Sequence, residues 1–90
     1  MLTVFKYPIQ PNVDKNFRFP LGFKPLRVGM QKLQLCLWVL IDEEEKRSQT
    51  VRLCVVRTGG MVPSGMDHVG SCHDGAHMAH VFVGKEKAPT

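Results

Sequence analysis

The residue types that could do chemistry are concentrated in one short segment, HVGSCHDGAHMAH (68–80). It holds all four histidines of the chain and one of its three cysteines. Zinc prefers thiolate sulfur and imidazole nitrogen, and a structural site needs four such ligands in a tetrahedron. The segment supplies these atom types in four residues, Cys72, His73, His77 and His80. Their spacing matches no closed site of the Cys-x-x-Cys type, so the pattern alone is a weak indication of a metal.

The geometry of a hairpin argues against that metal. Asp-Gly at 74–75 lies between two short extended runs, which is a strong signal for a two-residue β-turn. With that turn, Cys72 faces His77 across the hairpin, with Cβ atoms about 5 Å apart. His73 and His80 then lie on the opposite face, separated by about 13 Å. Because four ligands cannot converge on one point, we predict surface histidines, one Cys72–His77 pair and no metal site.

The same Cys72–His77 pair has the residue types of a thiolate nucleophile and its base. That chemistry also needs a group that orients the base and an oxyanion hole. The sequence offers no third partner, and it contains neither a Walker nor a dinucleotide-binding fingerprint. We therefore predict a protein that is not an enzyme and has no cofactor.

A second segment has the residue types to bind an anion: Arg57, Thr58, Gly59 and Gly60. Glycines allow consecutive backbone N–H groups to point at one anion, and arginine adds a bidentate charged donor. The formal charge of +4 also favours an anionic partner. A phosphate group fits this interpretation, and a plain turn is the alternative.

Apolar and polar residues alternate with the period of β-strands along the whole chain. The predicted strands cover 2–8, 15–19, 23–30, 33–41, 50–57, 68–72 and 77–83. An apolar share of 43% with 22% charged residues is ordinary for a globular domain. We predict one all-β domain over residues 1–84, a small antiparallel barrel or sandwich of six or seven strands with at most one short helix. A flexible tail is expected at 85–90.

Two of these strands, 33–41 and 50–57, are apolar on both faces near their middle. Since a half-solvated sheet alternates cleanly, a second layer must cover their second faces, which carry Cys36, Trp38, Cys54 and Val56. That layer is either the rest of a closed fold or another subunit. We predict a homodimer whose interface includes Trp38, Cys36, Leu40 and Val56. A closed monomer with Trp38 inside is the alternative.

Three cysteines, with no Cys-x-x-Cys pair, favour a reduced cytoplasmic protein over a disulfide scaffold. We expect Cys36 and Cys54 to be buried or at an interface and Cys72 to be the most accessible thiol. The longest apolar run, 35–41, is much shorter than the roughly 20 residues that a membrane-spanning helix needs. We therefore predict no membrane partner.

Nucleic-acid-binding strands combine aromatic and basic side chains on one face. Phe17, Arg18 and Phe19 have these types, but the two rings share the face opposite the arginine. We expect both rings to point into the core, and the sequence does not favour a nucleic-acid partner.

Several short motifs occur together in this chain. They are K-Y-P, P-x-G with V-x-x-Q, L-W with an aliphatic run to Asp, T-G and H-V-F, at Lys6, Tyr7, Pro8; Pro20, Gly22, Val28, Gln31; Leu37, Trp38, Asp42; Thr58, Gly59; and His80, Val81, Phe82. The set resembles a family of small uncharacterised proteins encoded by tailed phages and prophages, over most of the chain. The chain departs from that pattern at Arg57, where the family has Gly, and at Gly60, where it has His.

The resemblance implies a phage gene product made in the host cytoplasm, and it brings no catalytic residues. Small phage proteins without catalytic motifs commonly act by binding. The resemblance therefore implies a protein that inactivates a host protein, such as a defence component, by docking on it. The alternative is a protein that sequesters an anionic small molecule, such as a nucleotide signal, at Arg57–Gly60.

Overall fold

The computed structural model describes residues 1–87 and shows seven strands and no helix in that range. The strands are β1 (Leu2–Pro8), β2 (Val13–Pro20), β3 (Lys24–Gln31), β4 (Gln34–Asp42), β5 (Ser48–Arg57), β6 (Asp67–Asp74) and β7 (His77–Lys85). Every predicted strand is present, and its ends lie within two residues of the prediction. The all-β prediction is confirmed. No helix able to cross a membrane occurs among residues 1–87.

The strands form two antiparallel sheets, so the fold is a sandwich and not a closed barrel. The three-stranded sheet has the order β1-β4-β3, and the four-stranded sheet has the order β2-β5-β7-β6. The chain crosses between the sheets three times, because β1 and β2 belong to different sheets and so do β2 and β3, and β4 and β5.

The core lies between the sheets and is built from alternate residues of the inner strands. β4 contributes Leu35, Leu37, Val39 and Ile41, and β5 and β7 contribute Leu53, Val55, Ala79 and Val81. All eight side chains are buried. This is the alternation that a strand with one face in a sandwich core requires.

Aromatic rings fill one part of this core. Phe19 is buried and stacks on Phe23, with ring centroids 4.4 Å apart, and it meets the edge of Tyr7 at 5.1 Å. Phe17 lies on the same face of β2, whereas Arg18 lies on the other and is exposed. The prediction that Phe17 and Phe19 point into the core is confirmed.

One side of the sandwich is closed by the contact between β3 and β6. Each of these edge strands is interrupted by an irregularity, between Pro25 and Arg27 in β3 and between His68 and Gly70 in β6. A Cβ atom on Gly70 would lie 3.3 Å from the side chain of Val28, so the two strands are in close contact there. These irregular edges are protected from pairing with another strand.

The two strands that are apolar on both faces lie in different sheets, and this corrects the prediction of one shared patch. Cys36, Trp38 and Leu40 point outward from the three-stranded sheet. Cys54 and Val56 point outward from the four-stranded sheet, on the opposite side of the molecule. Met61, in the segment between β5 and β6, lines a cleft together with both of them. No single interface can therefore hold Trp38 and Val56 of the same chain.

The predicted tail begins where β7 ends, at Lys85. The side chain of Asn16 on β2 accepts a hydrogen bond from the backbone N–H of Lys87 at 2.6 Å and donates one to its carbonyl at 3.1 Å. The remaining residues of the predicted tail, 88–90, lie outside the described residues.

Candidate functional site

The outward surface of the three-stranded sheet combines apolar and basic side chains. We call it the Trp38 face and define it by Leu2, Val4, Lys6, Lys24, Arg27, Trp38 and Leu40. The strand pairing sets them in rows, with Leu40 between Val4 and Lys24 and Trp38 between Lys6 and Arg27. Side chains in one row lie next to each other, so the face has an apolar middle with cations beside it.

Trp38 is held in a fixed position on this face. The guanidinium carbon of Arg27 lies 5.7 Å from the centre of the indole, within the range of a cation–π contact. The ring lies over Gly29, where an added Cβ atom would be 3.5 Å from the indole carbon Cζ3. Trp38 is half-buried, so it is neither in the closed core nor fully in solvent. An aromatic group held in this way is preorganised for contact with a partner.

The apolar part of the Trp38 face extends onto β1. Leu2 is 65% exposed and Val4 is 52% exposed, and both point outward beside β4. The outward positions of a solvated antiparallel sheet are normally polar. Adjacent exposed apolar side chains are therefore a mark of an interaction surface.

The charged side chains along β1 are separated by sign, and at the acidic end the N-terminal ammonium of Met1 lies 3.3 Å from Asp42 Oδ1 and 3.6 Å from Glu44 Oε2. Asp42 lies opposite Leu2 at one end, followed by Glu43 and Glu44. Asp42 Oδ1 accepts a hydrogen bond from the backbone N–H of Glu44 at 3.0 Å, which lowers the pKa of the carboxyl. Lys6 and Lys32 lie toward the other end of the strand, where they line one cleft.

That cleft has a volume of about 330 Å³ and lies above Cys36. The ammonium of Lys6 donates a hydrogen bond to the side-chain carbonyl of Gln31, across the strand that carries the cysteine. Cys36 is 2% exposed, so its predicted burial is confirmed. Gln34 donates to the carbonyl of Ile9 at 3.0 Å and is therefore partly engaged within the chain.

The proposed anion turn is partly engaged in contacts within the chain, whereas Arg57 Nε is buried with no hydrogen-bond partner among residues 1–87. Gly60 N–H donates to the carbonyl of Arg57 at 2.8 Å, and Thr58 N–H donates to the carbonyl of Met78 at 3.2 Å. The Arg57 guanidinium faces Asp74, with Nη2 and Oδ2 3.4 Å apart. Gly59 adopts a φ of 95°, as a glycine turn requires. Two of the N–H groups that would bind an anion are thus already engaged.

The hairpin between β6 and β7 has a different register from the prediction. Its loop residues are Gly75 and Ala76, because Asp74 pairs with His77 and Cys72 with Ala79. Gly75 is in the left-handed region with φ 65° and Ala76 is not, which fits a turn with glycine at the first loop position. The predicted direct pairing of Cys72 with His77 is therefore wrong.

This register brings together a series of hydrogen-bonded side chains that were not predicted from the sequence. Ser71 Oγ lies 2.7 Å from Nδ1 of His80 and 2.9 Å from Nε2 of His68, and the Nε2 atom of His80 lies 2.9 Å from the hydroxyl of Thr58. The group that holds the second nitrogen of His80 is a hydroxyl, which cannot stabilise an imidazolium as the carboxylate of a catalytic triad does. Predicting these contacts from the sequence would have required the correct register of the hairpin, which places Ser71 opposite His80.

No three His, Cys, Asp or Glu side chains among residues 1–87 are placed to share a metal ion. His73 pairs with Met78 on the outer face of β6, and His77 pairs with Asp74 at the loop. All three cysteines are free thiols, and Cys72 is the least buried of them, as predicted. Burial raises the pKa of both Cys54 and Cys72.

A second cleft, of about 380 Å³, lies where β3 meets β6. It is lined by four apolar residues and three polar ones: Phe23, Pro25, Val69 and Val83 are apolar, and Lys24, Asp67 and His68 are polar. Because Lys24 belongs to the Trp38 face as well, this cleft adjoins that face.

These features define a small antiparallel β-sandwich with one outward face that is both apolar and basic. The chain belongs to the family described as Domain of unknown function (DUF7352), which matches it over residues 1–90. No curated protein and no solved structure matches the chain.

Proposed function

We propose that this chain is a phage- or prophage-encoded binding protein that inactivates a host protein by docking on it through the Trp38 face. The observation that supports the docking is the row of exposed apolar side chains on β1 beside half-buried Leu40 and Trp38. The resemblance in the sequence supports the phage origin, the host cytoplasm as the compartment and a defence component as the target.

The chemistry of the face indicates the chemistry of the partner. Lys6, Lys24 and Arg27 flank Trp38 and Leu40, so the fitting partner has an apolar centre and acidic side chains around it. Tryptophan and arginine are the residue types that most often dominate binding energy at interfaces. The action is stoichiometric and needs no cofactor.

The alternative, sequestration of an anionic small molecule at Arg57–Gly60, has less support. Two backbone N–H groups of that turn are bonded within the chain, and the guanidinium faces a carboxylate. An anion would have to displace Asp74 from Arg57 before it gained that charged donor.

The docking is tested with the purified chain immobilised against lysate of the host. Trp38→Ala removes the central aromatic group, and Met61→Ala is the matched control, because Met61 is 91% exposed and lies at the other sheet. We expect one host protein to bind the wild type and the control, and its dissociation constant to rise about thirtyfold or more with Trp38→Ala. Arg27→Glu should also raise the dissociation constant, and its effect should be larger at low salt than at high salt.

Equal capture by Trp38→Ala and the wild type would contradict this proposal. Capture that disappears after nuclease treatment would assign the face to nucleic acid instead. A nucleotide retained in native mass spectra of the wild type, and lost with Arg57→Gln, would establish the alternative.

A further inference from the structure

Strand β1 has one edge without a neighbour in the described part of the chain. The sheet order places β1 at the end of the three-stranded sheet, beside β4 only. Its pairing with β4 runs without a shift from Leu2 to Pro8. By contrast, the edges of β3 and β6 carry irregularities, and all three residues in the middle of β2 that point away from the core, Asp14, Asn16 and Arg18, have charged or amide side chains.

The hydrogen bonds at the two ends of β1 show which backbone groups are free. Ile9 N–H donates to the carbonyl of Leu35, and Glu43 N–H donates to the carbonyl of Met1. In an antiparallel ladder the bonded residues alternate, so odd-numbered residues of β1 bond to β4. The N–H and C=O groups of Leu2, Val4 and Lys6 therefore point away from the sheet.

The side chains do not protect this edge. Leu2 and Val4 are more than half exposed, and Phe5 is 38% exposed on the other face of the strand. Lys6, the one charged residue of β1, is drawn back over the sheet to Gln31. A regular, apolar and uncovered edge is the kind that pairs with another strand.

We propose that β1 pairs with β1 of a second copy, antiparallel about a two-fold axis at Val4. Val4 then faces its own copy, and Leu2 faces Lys6 of the other chain, which satisfies all the free backbone groups of these three residues. The three-stranded sheets of the two copies then form one continuous sheet across the two-fold axis. This inference does not depend on the proposed docking function, because the pairing uses the strand edge and no host protein.

The separation of charge along β1 selects the second copy as the occupant. In the antiparallel pair, Lys6 of one chain lies beside Leu2 of the other, whose next neighbour is Asp42. Two strand spacings put these Cα atoms about 10 Å apart, within reach of a lysine side chain that leaves Gln31 for this carboxylate. Within one chain the same two residues are about 14 Å apart along the strands. The acidic end of each copy thus meets the basic end of the other.

Sedimentation velocity of the full chain, from micromolar to submillimolar concentration, tests the pairing. Val4→Pro removes an N–H that β4 does not use, so the fold should persist while the dimer dissociation constant rises about tenfold or more. Val4→Thr is the matched control, since it keeps the N–H and the branched shape, and it should still dimerise. A monomeric wild type throughout the range would overturn the proposal, as would an unchanged dimer in a folded Val4→Pro variant.

Charge reversal gives a second test that does not depend on how proline is tolerated. Lys6→Glu should weaken the dimer, and Lys6→Glu combined with Asp42→Lys should restore it, because the pair is close only between chains. Thermal melting monitored by circular dichroism verifies that each variant is folded, since Asp42 also accepts the N–H of Glu44 and pairs with the N-terminal ammonium of Met1. Failure of the double variant to recover dimerisation while both variants remain folded would contradict the two-fold arrangement.

Discussion

At the scale of single residues, Asp14 and Arg52 form the best-defined ion pair of the described chain. Both carboxylate oxygens of Asp14 accept hydrogen bonds from the Arg52 guanidinium, each at 2.7 Å, across β2 and β5. These hydrogen bonds lower the pKa of Asp14. The pair lies at the surface, so its contribution to stability is modest and is screened by salt.

The lowered pKa of Asp14 predicts a loss of stability in acid. A carboxyl with a lowered pKa in the folded state stabilises that state above its unfolded pKa, about 3.9, and loses this effect as the pH falls below that value. Asp14→Asn should therefore make the denaturation midpoint less dependent on pH between about 5 and 2. Urea denaturation at several pH values measures this, and Arg52→Gln should flatten the profile similarly. An unchanged profile in both variants would show that the pair contributes nothing.

The three thiols differ in burial, which predicts the order of their modification. Cys36 and Cys54 are 2% exposed, whereas Cys72 is half-buried. Burial raises the pKa of Cys72, so its reaction should be slow near neutral pH and accelerate as the pH rises. Mass spectrometry after brief treatment of the native protein with iodoacetamide should find label at Cys72 first. Label at Cys36 or Cys54 before Cys72 would contradict the burial described above.

Residue pairing across the β6–β7 hairpin was predictable only in part. The Asp-Gly signal correctly placed a two-residue loop near Gly75, but the loop begins one residue later than that signal indicates. A two-residue loop that begins one residue later shifts every cross-strand partner by two residues, so the faces stay the same while the partners change. The contact of Ser71 with His80 therefore lay beyond what composition and spacing could show.

At the scale of elements, β4 has two faces with different structural roles. Leu37 is fully buried between the sheets, whereas Trp38 lies outside under Arg27. Leu37→Ala should cost about 2–5 kcal/mol of unfolding free energy, since it leaves a cavity in the core. Trp38→Ala should cost less and leave the chain folded. Denaturant unfolding of the two variants makes the comparison, and an equal loss would mean that Trp38 belongs to the core.

The existence and bounds of the strands followed from the sequence, because alternation and turn residues act locally. The grouping of strands into sheets did not. β4 and β5 have the same two-sided apolar pattern, and nothing local shows that one is the centre of three strands and the other an inner strand of four. The prediction placed both strands in one layer, and it therefore assigned Val56 to the same interface as Trp38.

The Trp38 face was predictable at Trp38, Leu40 and Cys36, whose outward position follows from alternation along β4. The part contributed by β1 was missed, because its partner strand lies far away in the sequence. A signal was present in 2–8, where Leu2 and Val4 alternate with Phe5 and Tyr7 on the other face. A strand that ends at a proline is typically an edge strand, and when both of its faces are apolar, one of them points away from the core.

At the scale of the whole molecule, the two sheets expose different chemistry. The four-stranded sheet presents the Asp14–Arg52 pair and two histidines, His68 and His80, that are hydrogen-bonded to Ser71. The three-stranded sheet presents apolar side chains with Lys6, Lys24 and Arg27 beside them. A partner of acidic and apolar character gains most by contacting the second of these surfaces.

The crossing of the chain between the sheets also determines the order in which it can fold during synthesis. Only β3–β4 and β6–β7 join strands that are consecutive in sequence, whereas β1 must wait for β4 and β2 must wait for β5. Both of the first two strands thus leave the ribosome before their partners exist, and pairing distant segments is the slow part of β-sheet folding. In that interval the apolar edge of β1 is unprotected on both sides. The proposed pairing of β1 with β1 would then be open to nascent copies on neighbouring ribosomes of one message before either chain is complete.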